Sequence, residues 1–211
     1  MKNIVILFIY DGSAEVDWIL PVIYKLKKNY KIYTHFQSHK SFNNLKSNID
    51  LFRLWKKTTN KYYIQKSVDS FFWKILYKVV KILKVQNISL NEFLISKIHN
   101  VKKLENKLKK VFKNNHIKVK FIFSSFSRKS VWAINYKSTF KDSKLIHFVD
   151  STWNYSLKKK YLKKNNMHKI ILKGDILLVA NKEIIPYVKN SINEKKIIVC
   201  GTPKYDLFWK K

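Results

Sequence analysis

Residues 4–36 read IVILFIYDGSAEVDWILPVIYKLKKNYKIYTHF. Ile4 to Tyr10 is an unbroken apolar run that stops at Asp11-Gly12, the pattern of a strand buried on both faces and ending in a turn. The spacing then predicts a helix from Asp17 or Trp18 to Lys28. Ile19, Leu20, Val22, Ile23 and Leu26 supply its apolar face, and Lys25, Lys27 and Lys28 suit the negative end of its dipole. Pro21 fits if it lies in the first turn, where backbone N–H groups lack helical partners. Lys31 to Phe36 reads as a second strand. The stretch is therefore one β-α-β unit, and it sets the expectation for the rest of the chain.

Working outward, the same rhythm returns. Strands are expected at Lys118–Phe123, Leu145–Val149, Asp175–Ala180 and Lys196–Cys200. Helices are expected at Ser130–Phe140 and Lys182–Ser191, the latter carrying Pro186. Between them lies a helical insertion at about 65–112, formed by Val68–Val85 and by Ser89–Phe112, with Ser89 and Glu92 at capping-box spacing. Residues 38–60 are polar and carry no clear periodicity. Apolar runs alternating with helices imply an α/β, Rossmann-like, mainly parallel sheet with helices on both faces, here as one domain over 1–211. Ligands of such sheets sit outside the carboxyl ends of the strands. The polar groups at those ends are Asp11, Ser13, Glu15, His35, Ser124, Ser125, Asp150, Ser151, Thr152 and the turn Gly201-Thr202-Pro203.

The chain has 211 residues, 46% of them hydrophobic and 15% aromatic, enough to build a core and to exclude global disorder. Its net charge of +31 points to anionic surroundings. Of the 44 positive residues only Arg53 and Arg128 are arginine. Guanidinium is the group suited to forked recognition of phosphate and guanine, so nucleic acid ranks below a membrane surface or an anionic polymer as partner. Part of the lysine excess matches a general compositional bias toward Lys, Asn and Ile. Cys200 is the only cysteine and fits a reducing compartment. The first residues are too soon interrupted by Asp11 for a signal peptide, and no apolar run approaches the ~20 residues of a spanning helix. The expected location is cytoplasmic, peripheral at the inner face of the membrane.

Acidic residues are scarce, 13 in all, yet Asp11, Glu15 and Asp17 fall in seven consecutive positions, where uniform scatter would place about 0.4. Two readings stand side by side. The three acids cap the following helix and complement its positive end, Asp17 as the cap. Alternatively Glu15, the one least explained by capping, is a general base at the mouth of the sheet. Asp11, Ser13, Ser125, Asp150 and Ser151 are then the candidate acceptor contacts.

The stretch DGSAEVDWILPVIYKLKKNYKIYTHF resembles the first β-α-β unit of GT-B glycosyltransferases, and most of all that of Kdo transferases. There a Ser-x-Gly-Glu loop carries the catalytic Glu ahead of an apolar helix with an early Pro. Ser13-Ala14-Glu15 keeps the Ser and Glu, lacks the intervening Gly and is one residue shorter. Near the other end, IIVCGTPKYDLF is similar to the exit turn of the N-terminal domain in Kdo transferases and in glycerophosphate- and capsule-polymer transferases. Gly201, Pro203, Lys204 and Asp206 match that pattern. The resemblance implies Glu15 as catalytic base and Gly201, Lys204 and Asp206 as the interdomain turn. It implies a sugar or lipid-linked acceptor in bacterial cell-envelope polysaccharide or glycan synthesis. The nucleotide-activated donor would be held by a C-terminal domain absent from this chain, which would then be a fragment or one half of a split enzyme with a second chain as partner. G-x-G-x-x-G, a P-loop and Asp-x-Asp are all missing, so no cofactor is expected in this chain.

The remaining candidates read as structural. His147 fits a strand histidine satisfied by hydrogen bonds, and Cys200 a buried thiol. His35 and His39 lack a third ligand, so no metal is expected. In Val68–Val85, Trp73, Lys74, Lys78 and Lys81 suit a membrane surface, while the same helix also reads as buried with a wet lysine stripe. A basic module that binds nucleic acid, an anionic polymer or a membrane without catalysis is the alternative function.

Overall fold

The computed structural model describes residues 2–65, 117–125, 139–149, 174–188 and 193–203, with isolated positions 75, 76, 79, 106, 110, 133, 136 and 137. Its strands are β1 (Lys2–Ile9), β2 (Lys31–Phe36), β3 (Lys61–Ile64), β4 (Ile117–Ser125), β5 (Lys144–Phe148), β6 (Ile176–Val179) and β7 (Ile197–Val199). Its helices are α1 (Ser13–Leu26), α2 (His39–Ser47), α3 (Ile49–Thr58) and the short α4 (Ile185–Val188), which a 3-10 turn at Lys182–Ile184 precedes. The strands form one sheet in the order β3-β2-β1-β4-β5-β6-β7, and every neighbouring pair is parallel. The expected Rossmann-like α/β architecture is present.

Helices cover both faces because both faces of the central strands are apolar. On one side Val5, Leu7 and Ile9 meet Val16, Ile19, Leu20 and Ile23 of α1, with Leu45 of α2 and Leu51 and Trp55 of α3 behind them. Trp18 of α1 stacks on Phe148 of β5 with centroids 5.3 Å apart. On the other side Ile4, Ile6 and Phe8 meet Val119, Ile122 and Leu145, under the helical positions Ala133 and Tyr136.

In β4 an extra residue, Lys120, interrupts the register with β1: Ile4 pairs Val119 but Val5 pairs Phe121. Such a bulge shifts the alternation of all that follows. Val119, Ile122 and Ser124 therefore share a face, and Phe121, Phe123 and Ser125 share the other.

Three stretches differ from expectation. First, α1 begins at Ser13 rather than at Asp17 or Trp18. Glu15 is thus the third helical residue, with Gly12 as cap. Pro21 is the ninth residue of the helix, not in its first turn, and α1 tolerates it on its buried face. Second, residues 38–60 are not irregular but form α2 and α3. Each starts on a side-chain cap: Ser38 Oγ accepts from Ser41 N–H and Asn48 Oδ1 from Leu51 N–H. Third, β3 is an additional strand at the sheet edge. Ile75, Leu76, Val79, Asn106 and Lys110 are helical, within the expected insertion.

Candidate functional site

Strand order places the site. Chain order runs outward from β1 through β2 to β3, then returns to the other flank of β1 with β4. The carboxyl ends of β1 and β4 therefore flank the topological switch point, where open parallel sheets leave a crevice. Two side chains bridge it. Glu15 comes from the first turn of α1, just after β1, and Ser125 is the last residue of β4.

Glu15 is fully buried. Its Oε2 accepts from the backbone N–H groups of Tyr10 at 2.6 Å, Asp11 at 2.9 Å and Gly12 at 3.4 Å. Its Oε1 accepts from the hydroxyl of Ser125. The carboxylate thus closes the turn on itself and ties it to β4. Gly12 makes the turn possible. Its φ is +109°, and an added Cβ would lie 2.7 Å from the Ser41 carbonyl oxygen and 2.8 Å from Asn44 Cβ. Asn44 Nδ2 also donates to the Asp11 carbonyl at 3.0 Å, so α2 lies over the turn.

Burial pushes the Glu15 carboxyl up to about 7, against the opposing pull of the Ser125 hydroxyl and the Asp11 and Tyr10 N–H groups. Desolvation disfavours the charged form more than these donors favour it. A carboxyl poised there exchanges a proton near neutrality, the property a general base or acid needs. Among the described residues the partner of Oε1 is the Ser125 hydroxyl, itself buried.

Directly beneath, on the opposite face, lies a second polar layer. Tyr10 Oη and Ser124 Oγ are 3.1 Å apart. His35 meets the hydroxyl of Tyr136 through Nδ1 and Gln65 Oε1 through Nε2 at 3.1 Å. Burial pushes the Tyr10 and Tyr136 hydroxyls above their ordinary range. Gln65 Oε1 can only accept, so Nε2 of the neutral ring carries the hydrogen and Nδ1 accepts from the Tyr136 hydroxyl. Phe8 stacks on the His35 ring at 4.8 Å. The doublet Ser124-Ser125 serves both layers, one serine on each face. Sequence reading named both serines but not Tyr10, Gln65 or Tyr136; a strand-ending Tyr before Asp11 was the available signal.

Other candidates fall elsewhere. Ser13 is half-buried at the start of α1, and Asp11 is exposed beside the turn. Gly201 follows β7 with φ +72° on the same rim as Glu15, since all strands are parallel. Four strand spacings, about 19 Å, separate β1 from β7. Asp150, Ser151, Lys204 and Asp206 lie outside the described residues, as do Trp73, Lys74, Lys78 and Lys81. Ile75 and Val79, four residues apart in the same segment, are exposed. Among the described residues no helix is long and apolar enough to cross a membrane.

Two side chains depart from expectation. Cys200 is exposed, not buried, because it follows the short edge strand β7. His147 is buried, yet neither ring nitrogen has a hydrogen-bond partner among the described residues. Its ring packs on Gly174, where an added Cβ would lie 2.5 Å from Cδ2. Burial pushes its pKa down to about 4, outweighing the opposite influence of the Ser124 backbone and Asp175.

Comparison with known proteins reveals the fold and no family. No family model matches the chain, and no curated protein does. Among solved structures, a UDP-GlcNAc 2-epimerase from Neisseria meningitidis bound to UDP-GlcNAc is similar with a TM-score of 0.50 and 14% identity, over 97% of this chain and 48% of that one. A second UDP-N-acetylglucosamine 2-epimerase gives a TM-score of 0.49 and 13% identity, over 96% of this chain and 49% of that one. The chain spans about half the length of these structures. At this identity the likeness is one of fold, and that fold is GT-B-like and Rossmann-type.

Proposed function

We propose that the chain is the acceptor-side domain of a GT-B-type glycosyltransferase or glycerophosphate-type transferase that acts on a cell-envelope glycan, with Glu15 as the base for the acceptor hydroxyl. The observation that supports this most is the position of Glu15 at the switch point, buried, with a carboxyl titrating at about 7. In the reaction an acceptor hydroxyl replaces the Ser125 hydroxyl at Oε1 and gives up its proton there as its oxygen attacks the activated carbon or phosphorus. The donor's nucleotide leaves from the side of the second domain. Ser13 and Asp11, beside the turn, and Asp150 and Ser151, after β5, are the acceptor contacts of this reading. Gly201, Lys204 and Asp206 form its exit toward the donor domain, a separate part of the chain or a partner chain.

The test is sugar or glycerophosphate transfer with the donor domain supplied. Turnover should rise with pH through about 7 as Glu15 ionises, and Glu15→Gln should lower it about 100- to 10,000-fold, the usual weight of a general base. Undiminished turnover in Glu15→Gln overturns the assignment. Affinity for polyanions that falls steeply with salt, with no transfer under any pairing, favours the binding module instead.

A further inference from the structure

All seven strands start at the end of the molecule opposite Glu15, and that end is lined with lysine. Lys31 opens β2, Lys61 opens β3, and Lys118 is the second residue of β4. The register sets them side by side: Lys31 pairs Ile4, Lys118 pairs Asn3, and Lys61 pairs Tyr33. Helices α1 and α3 return to this end with Lys27, Lys28 and Lys57, and Lys27 Nζ donates to the Lys57 carbonyl, so the two helix ends adjoin.

Helix dipoles account for the lysines at the helix ends, but not for those that open strands. The described acids lie away from these lysines. Asp11, Glu15, Asp17 and Glu183 belong to the opposite rim, and Asp50 to the start of α3. Asp142, Asp175 and Glu194 are at the lysine end but beside β5–β7. Across β3-β2-β1-β4 this end carries no acid among the described residues. Two apolar side chains accompany the lysines. Tyr24, in the last turn of α1, is 40% exposed, and Leu54 of α3 is 39% exposed.

We propose that this end of the sheet, around Lys28, Lys31, Lys57 and Lys61 with Tyr24 and Leu54, docks on an anionic lipid bilayer. Strand starts and two helix ends bring these lysines together with no described acid among them, and a charge of one sign spread over several elements complements an extended anionic surface. Lysine is a compact, strongly hydrated charge suited to a diffuse layer of headgroups, whereas phosphate-by-phosphate recognition favours guanidinium. Tyrosine and leucine beside such lysines belong at the headgroup boundary. The docking does not rest on the transferase reading. Joined to it, it turns the Glu15 rim away from the bilayer by a strand's length, about 26 Å for eight residues. The acceptor would then be the far end of an extended glycan, not the sugar next to the lipid.

The experiment is co-sedimentation of the full chain with phosphatidylcholine vesicles, with and without phosphatidylglycerol. Binding should require the anionic lipid and weaken as salt is raised. The combined variant Lys28→Gln, Lys31→Gln and Lys61→Gln should lose affinity about tenfold or more. Lys40→Gln, Lys46→Gln and Lys182→Gln together remove the same charge from the opposite rim and should change it by less than about threefold. Far-ultraviolet circular dichroism confirms that both variants fold. Equal losses in the two variants overturn the proposal. So does retained vesicle binding by the first variant, with loss instead in Ile75→Ser, Val79→Ser. Preferential binding of an RNA oligonucleotide, abolished by the first variant, also overturns it.

Discussion

Glu15 is held by more hydrogen bonds than its exposure to any outside group would justify: three backbone N–H groups and one hydroxyl meet a carboxylate with no accessible surface. The capping contact and the raised pKa belong to the same carboxyl here, so the capping reading does not exclude its rival. The carboxylate builds the turn, and the burial that building requires is what raises its pKa. Scarcity of acids made Glu15 legible in the sequence. Its partner Ser125 was legible only as a strand-end polar group, because the contact joins residues 110 positions apart. Gly12 carries the conformational requirement. Gly12→Ala should cost about 2 kcal/mol or more, from a φ that L-residues avoid and from collision with α2. Gly201→Ala, where nothing lies within 4 Å of the added Cβ, should cost about 1 kcal/mol. Urea titration of the two variants gives both values.

At the scale of elements, strands were read well and the segment after β2 poorly. Buried parallel strands announce themselves as apolar runs. By contrast α2 buries only Ser41 and Leu45, and α3 only Leu51, Trp55 and Thr58; so few apolar positions in short helices leave little periodicity to detect. Their signals are the caps Ser38 and Asn48. What fixes α3 is tertiary: Trp55 is fully buried, its Nε1 donates to Thr34 Oγ1 at 3.1 Å, and its ring lies 5.3 Å from that of Phe36. Removing the cap with Asn48→Ala should lower stability by about 1 kcal/mol. Trp55→Ala should cost about 3–5 kcal/mol through the cavity it leaves. Chemical denaturation of the pair distinguishes the two contributions.

For the whole molecule, two buried groups on opposite faces of the sheet titrate against each other. Glu15 rises from 4.5 to about 7 on folding. Between those values the folded chain holds a proton that the unfolded chain has released, so stability falls as pH rises. His147 drops from 6.5 to about 4. There the unfolded chain holds the extra proton, so stability rises with pH and is lost in acid. Each contributes a slope of about 1.4 kcal/mol per pH unit, and from 4.5 to 6.5 the two cancel. Denaturation across that range should therefore show stability rising with pH in Glu15→Gln and falling in His147→Phe, relative to a flatter parent. Identical slopes in all three proteins would show that neither group is perturbed as burial requires.

The extra residue Lys120 decides which serine meets Glu15. Were β4 to slide by a single position, Ser124 would take the place of Ser125, and a hydroxyl would still greet the carboxylate. The site's own chemistry therefore offers no proofreading of alignment. That duty rests on oily neighbours, Val119 and Ile122 on one side and Phe121 and Phe123 on the other, which a slip would turn toward the wrong layer.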